Sequence, residues 1–124
     1  MSKILIVDDE KKIREIYRKL LEFEKYEVLE AADATAASKL LIGDEDIRLI
    51  LLDINMPQIN GGTLYRMIRI LDPKTRVIVT SAYPLEDQKQ MIARADDYYD
   101  KSQGMDILLD KIKKLFEKEE NHAY

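Results

Sequence analysis

The sequence predicts an α/β fold, a doubly wound sheet of five parallel strands with helices on both faces. Two observations carry this. Short apolar runs that read as strands buried on both faces alternate five times with segments of helical period. The connections are short, and strand–helix alternation of that kind builds a parallel sheet through right-handed crossovers. A third observation concerns where the runs end. Leu49-Ile50-Leu51-Leu52 stops abruptly at Asp53, with Asn55-Met56-Pro57 after it. Ligands of open α/β sheets bind at the carboxyl ends of the strands, so this run puts one carboxylate at the active edge.

The first strand is Ile4 to Val7, followed by Ile13, Ile16, Tyr17 and Leu20 at helical spacing. Tyr26 to Ala31 is the second strand, with Val28 and Leu29 as its apolar pair. Asp33 is placed to cap a helix through Leu40 and Leu41, and Gly43 to stop it. Leu49 to Leu52 is the third strand. Asn60 is expected to cap a helix carrying Leu64, Met67, Ile68 and Leu71, which Pro73 stops. Val77 to Val79 is the fourth strand, and Pro84 suits the first turn of a short helix through Met91 and Ile92. Tyr98-Tyr99 marks a fifth strand. Met105, Leu108, Leu109, Ile112, Leu115 and Phe116 form the clearest apolar stripe, that of a closing helix. Glu117 to Tyr124 is polar and expected to fray, giving one domain over residues 1–119 and a polar tail over 120–124. Five strands in about 120 residues fit the flavodoxin-type order 2-1-3-4-5 rather than the dinucleotide-binding order.

A chain of 124 residues, 46% apolar and 35% charged, suits one soluble core. A net charge of −4 gives no global attraction to nucleic acid or to an anionic membrane. No apolar run approaches the length of a membrane span, no signal-peptide pattern opens the chain, and there is no cysteine. A cytoplasmic setting is expected, without disulfides or thiolate metal sites.

Asp8 and Asp9 follow the first strand directly and Asp53 ends the third. Those strands are neighbours in the 2-1-3-4-5 order, so three carboxylates are expected to converge at the switch point. Like charges so close repel unless a cation joins them. An all-oxygen set suits a hard ion such as Mg²⁺, and the lone His122 in the tail makes zinc a poor fit. Asp8, Asp9 and Glu10 taken alone read more simply as acidic residues complementing a helix N-terminus. Asp53, before a Met-Pro loop, has no such explanation. Ser81 ends the fourth strand and Lys101 the fifth. Singly they are a strand-end hydroxyl and a solvated charge. Together with the acids they suit a phosphoryl group on Asp53, whose oxygens Lys101 would neutralise and Ser81 would hydrogen-bond.

These residues resemble the receiver domain of bacterial two-component response regulators, particularly stand-alone ones of the chemotaxis and sporulation-phosphorelay type. The resemblance spans essentially the whole chain. It is carried by Ile4-Leu5-Ile6-Val7-Asp8-Asp9-Glu10, Leu51-Leu52-Asp53-Ile54-Asn55-Met56-Pro57 with Gly61, Val79-Thr80-Ser81-Ala82-Tyr83 and Asp97-Tyr98-Tyr99-Asp100-Lys101. It implies Asp53 as phospho-acceptor and Asp9 as direct Mg²⁺ ligand, with Asp8 acting mainly through water and the Asn55 backbone carbonyl completing the set. It implies Ser81 as switch hydroxyl, Lys101 as phosphoryl contact and Tyr98 as switch aromatic. Asn55 and Tyr83 fall at positions resembling those that tune dephosphorylation. The implied partners are a sensor histidine kinase or histidine phosphotransferase, and a downstream protein bound on the fourth helix–fifth strand–fifth helix face. The implied chain is a phosphoacceptor signalling domain rather than an enzyme, a monomer or a phosphorylation-dependent dimer, without direct nucleic-acid or membrane contact.

Three departures stand out. Ser102 occupies the place of the usual proline, so the loop after the fifth strand either holds a cis bond or takes another path. The Ser81 to Lys101 segment is slightly short, and Arg94-Ala95 replaces a common Gly-Ala. A short or loosely held fourth helix is therefore expected. Two other classes compete. An aspartyl-phosphate phosphohydrolase would want a second acid at the position of Asn55, and turnover of a phosphate ester would reveal it. A flavodoxin-like nucleotide binder would want a hydroxyl- and glycine-rich loop where Asp8-Asp9-Glu10 stands, and a pseudo-receiver would lack one of the acid, hydroxyl or lysine groups.

Overall fold

The computed structural model describes residues 3–44, 46–56 and 61–121. Strands β1 (Lys3–Val7), β2 (Glu27–Ala31), β3 (Ile47–Asp53), β4 (Arg76–Ser81) and β5 (Asp97–Asp100) alternate with helices α1 (Lys11–Phe23), α2 (Ala34–Gly43), α3 (Gly61–Leu71), α4 (Leu85–Met91) and α5 (Met105–Asn121). Every strand pairing is parallel and the order is β2-β1-β3-β4-β5, as the alternation predicts. No helix among the described residues is long and apolar enough to cross a membrane.

The pleat sorts each strand into two layers, because successive side chains point to opposite faces. Ile4, Ile6, Leu49, Leu51, Ile78 and Tyr99 pack with Tyr17 and Leu21 of α1 and Leu108, Ile112 and Leu115 of α5. Leu5, Val7, Ile50, Leu52, Val77, Val79 and Tyr98 pack on the other face with α2, α3 and Ile92. Burial on both faces is why β1, β3 and β4 read as unbroken apolar runs. Tyr98 and Tyr99 therefore part company, one to each layer.

Local chemistry fixes the ends of the elements. Asp33 Oδ1 accepts the Ala36 amide at 2.8 Å, the expected N-cap of α2. Helix α1 closes with Lys25 at φ 70°, a left-handed residue whose amide bonds the Glu22 carbonyl while Tyr26 N bonds the Leu21 carbonyl. Pro84 stands just outside α4, at its N-cap, rather than inside the first turn. Helix α5 continues to Asn121, past Glu117 where fraying was expected. The Asn60 cap, Pro57 and His122 lie outside the described residues.

The fourth helix is short, seven residues, yet it is firmly tied. Gln88 is fully buried, and its Nε2 donates to the Tyr83 carbonyl at 2.8 Å and the Tyr99 carbonyl at 3.0 Å. A single side chain thus joins the loop after β4 to β5. Of the two expected forms, short or loosely held, the helix takes the first. The Lys101–Ser102 bond is trans. The turn there is closed instead by Asp100, whose Oδ1 accepts both the amide and the hydroxyl of Ser102 at 2.8 Å.

Candidate functional site

The register brings the strand ends level. Val7 pairs with Leu52, Asp53 with Thr80 and Ser81 with Asp100. The next residues along β1 and β5, Asp8 and Lys101, therefore emerge beside Asp53 and Ser81 at the carboxyl edge. Asp8 and Asp53 are each only 1% exposed. Between them lies the Lys101 ammonium, which donates to Asp8 Oδ2 at 3.0 Å and sits 3.4 Å from Asp53 Oδ2. Two desolvated carboxylates share one cation.

That geometry sets the protonation chemistry. Burial pushes the Asp53 carboxyl up to about 6, the Asn55 amide at 2.8 Å pulls it back, the Asp8 charge raises it and Lys101 lowers it. Burial would lower the Lys101 ammonium, but the charges of Asp53 and Asp8 outweigh it and hold the group above an ordinary lysine. Tyr17, buried in the layer beneath, has its phenol held up by burial and then by Tyr99, Asp8 and Asp53.

A tight group of three carboxylates stands at the end of β1. One oxygen from each of Asp8, Asp9 and Glu10 lies within 4.8 Å of the others. Asp53 stays outside that group and meets Asp8 across the Lys101 ammonium instead, which relieves their repulsion. Glu10 reads in the sequence only as a helix-terminal acid. It occupies the N-cap of α1 but makes no side-chain capping bond, and its amide donates to Asp8 Oδ1 at 2.9 Å. Arg14 holds the loop from below, donating from Nη1 to the Asp8 carbonyl at 2.7 Å. An all-oxygen cluster with one buried member fits a hard divalent cation.

Ser81 is fully buried, and its hydroxyl is committed to a partner the sequence did not reveal. Ser81 Oγ donates to Asn55 Oδ1 at 2.6 Å, and the Ala82 amide donates to the same oxygen at 3.1 Å. Tyr83 N in turn donates to Ser81 Oγ at 3.0 Å. Asn55 thus links the loops after β3 and β4 through its side chain. Tyr98 points inward: its hydroxyl donates to the Ile92 carbonyl and accepts the Ala95 amide at 3.3 Å, while Lys89 Nζ lies 5.9 Å from its ring centre. Tyr83 is exposed beside the site.

Comparison with known proteins places this edge in context. The family model described as response regulator receiver domain matches residues 4–113. The transcriptional regulatory protein YxdJ of Bacillus subtilis is 34% identical over 114 residues, 91% of this chain and 49% of that protein. CpxR of Escherichia coli is 37% identical over 103 residues, 82% of this chain and 43% of that protein. The chain spans about half the length of these curated relatives. Among solved structures, a CheY-like receiver domain protein from Methanospirillum hungatei superposes with a TM-score of 0.88 at 32% identity, covering 98% of both chains. TrrA of Thermotoga maritima, in complex with Mg²⁺ and BeF, gives a TM-score of 0.83 at 36% identity, covering 93% of this chain and 99% of that one. On fold, site and sequence together, the chain belongs to the response regulator receiver domain family, the phosphoacceptor domain of two-component signalling.

Proposed function

We propose that Asp53 is the phospho-acceptor and takes a phosphoryl group from a phosphohistidine of a sensor histidine kinase or histidine phosphotransferase. A carboxylate oxygen of Asp53 attacks phosphorus in line; the P–N bond to imidazole breaks as the P–O bond to Asp53 forms, and the imidazole leaves with a proton. The observation that carries this reading is the buried Asp53–Lys101–Asp8 bridge. It holds a desolvated nucleophile beside a cation able to neutralise phosphoryl oxygens. The chain catalyses its own phosphorylation and slow dephosphorylation.

Asp8 and Asp9, with Asp53 and the Asn55 backbone carbonyl, would hold Mg²⁺, and Glu10 adds charge beside them. Bound there, Mg²⁺ supplies compensation for the charge on the phosphoryl oxygens. Lys101 leaves Asp8 for the new oxygens. Ser81 exchanges Asn55 Oδ1 for a phosphoryl oxygen, which pulls on the loop through Tyr83. Gln88 and Tyr98 pass that movement to α4 and β5, since Gln88 bonds the Tyr83 and Tyr99 carbonyls and Tyr98 bonds Ile92. The α4–β5–α5 face then has two states for a downstream protein to distinguish.

Acetyl phosphate with MgCl₂ should add about 80 Da to the chain, the mass of one phosphoryl group. Asp53→Ala should abolish the increment and Asp9→Ala should slow it. Unchanged labelling of the Asp53 variant would sink the assignment. Steady release of phosphate from simple esters would favour a phosphohydrolase instead.

A further inference from the structure

The acidic balance of the chain, −4 overall, is reversed at one place. At the end of the sheet opposite Asp53, a concavity of about 920 Å³ opens between the last turns of α3, the start of β4 and the segment entering β5. Four of its side chains are cationic, Arg69, Lys74, Arg76 and Arg94, and one, Asp96, is anionic. Asp96 already accepts three donors: Arg69 Nη2 at 2.7 Å, Arg76 Nη1 at 3.3 Å and the Val77 amide at 2.7 Å. Arg69 is fixed further by Tyr65 Oη at 3.0 Å and the Thr75 carbonyl at 2.5 Å. These bonds pre-organise one wall and neutralise its only acid.

Lys74 and Arg94 are different. Both are exposed, and neither side chain has an ion-pair or hydrogen-bond partner among the described residues. They come from separate connections, one before β4 and one before β5, and face a shared space. An adjoining groove of about 290 Å³ shares Tyr65 and Arg94 and adds Arg66, another cation.

We propose that this concavity binds a small phosphate-bearing polyanion of nucleotide size, with Lys74 and Arg94 as its principal contacts. The concavity is open to solvent, and its volume leaves room for a ligand of nucleotide size. Guanidinium groups match phosphate oxygens in pairs, and an ammonium adds a point charge. A compact polyanion is favoured over a nucleic-acid strand because the positive potential is local. An extended strand would leave this concavity for the surface of a net acidic chain. The site is separate from the phospho-acceptor: Arg76 opens β4 and Ser81 closes it, roughly 16 Å apart at ~3.3 Å per residue.

The test is an NMR titration of the ¹⁵N-labelled chain with tripolyphosphate and, separately, with ATP, both without added metal. Saturable shifts are expected at the amides of Lys74, Thr75, Arg76, Arg94 and Asp96, weakening as salt is raised. The double variant Lys74→Glu/Arg94→Glu, changed only at exposed positions, should lose affinity by about tenfold or more while acetyl phosphate labelling continues as in the parent. Similar binding of both probes assigns recognition to the phosphate chain; tighter binding of ATP assigns the nucleoside as well. Several outcomes would overturn the proposal: no saturation, shifts confined to the Asp8–Lys101 edge, undiminished binding by the double variant, or tighter binding of malonate, an acidic peptide or an oligonucleotide.

Discussion

Asp53→Asn should make the metal-free chain more stable above neutral pH and change little in acid. Asp53 is 1% exposed, and burial is the main reason its carboxyl is pushed up to about 6. In the unfolded chain the same group ionises near ~3.9. Between those values the folded chain holds the proton that the unfolded chain has lost. Stability therefore falls as pH rises through the window and levels off above about 6. Roughly two pH units at ~1.36 kcal/mol each set an upper bound near 3 kcal/mol. Asparagine keeps an oxygen to accept the Asn55 amide but leaves Lys101 with Asp8 alone. The net gain expected is therefore about 1–2 kcal/mol. In a domain of this size that is a rise of roughly 4–8 °C in Tm. Urea melts of both proteins in EDTA, at pH values from ~3.5 to ~8, would measure it directly. The gain should grow across the window and then plateau. An equal difference at every pH, or a less stable variant at the alkaline end, would refute the reasoning that a desolvated carboxylate burdens this fold.

Lys101→Met should leave the buried Asp8 and Asp53 carboxylates without their ammonium. A loss of about 3 kcal/mol near pH 8 is expected, and MgCl₂ should restore part of it in urea melts if the acids hold the ion. Lys25→Gly removes a Cβ from a residue at φ 70° and should stabilise by about 0.5–1 kcal/mol, read as a higher urea midpoint with an unchanged slope. Tyr98→Phe loses the bonds to the Ile92 carbonyl and the Ala95 amide. It should lower stability by about 1–2 kcal/mol and speed amide exchange between Ile92 and Ala95, while acetyl phosphate labelling of Asp53 persists.

The fold was legible because β1, β3 and β4 are buried on both faces, so burial writes itself into unbroken runs such as Leu49 to Leu52. The site was legible where side chains sit at strand ends: Asp8, Asp53, Ser81 and Lys101 are fixed by register alone. What escaped depends on loop paths and lateral contacts. Nothing in the run Leu85-Glu86-Asp87-Gln88 marks Gln88 as buried, since a polar residue in a short helix reads as surface until the two carbonyls it serves are known. The Asn55–Ser81 bond joins residues 26 apart in sequence. Asp100 closing the turn at Ser102 likewise needs the chain's path, which the missing proline left open. The Lys101 ammonium between Asp8 and Asp53 is a further lateral contact, set by the fifth strand's place beside the fourth rather than by any local motif.

In the proposed switch, the Asn55–Ser81 hydrogen bond limits what the hydroxyl itself can contribute. A hydroxyl that already has an acceptor gains only the difference between two acceptors when a phosphoryl group arrives. A bond to a neutral amide oxygen is worth about 0.5–1.5 kcal/mol net and one to a charged oxygen about 1.5–3. Their difference, near 1.5 kcal/mol, tilts the loop equilibrium by roughly tenfold on its own. A change from almost wholly off to almost wholly on takes about 5.5 kcal/mol. The hydroxyl thus supplies a graded bias, and the rest must come from Lys101 changing partners or from whatever protein binds the altered face. A chain wired in this way would draw most of its switching energy from the Lys101 exchange and from its partner rather than from the hydroxyl.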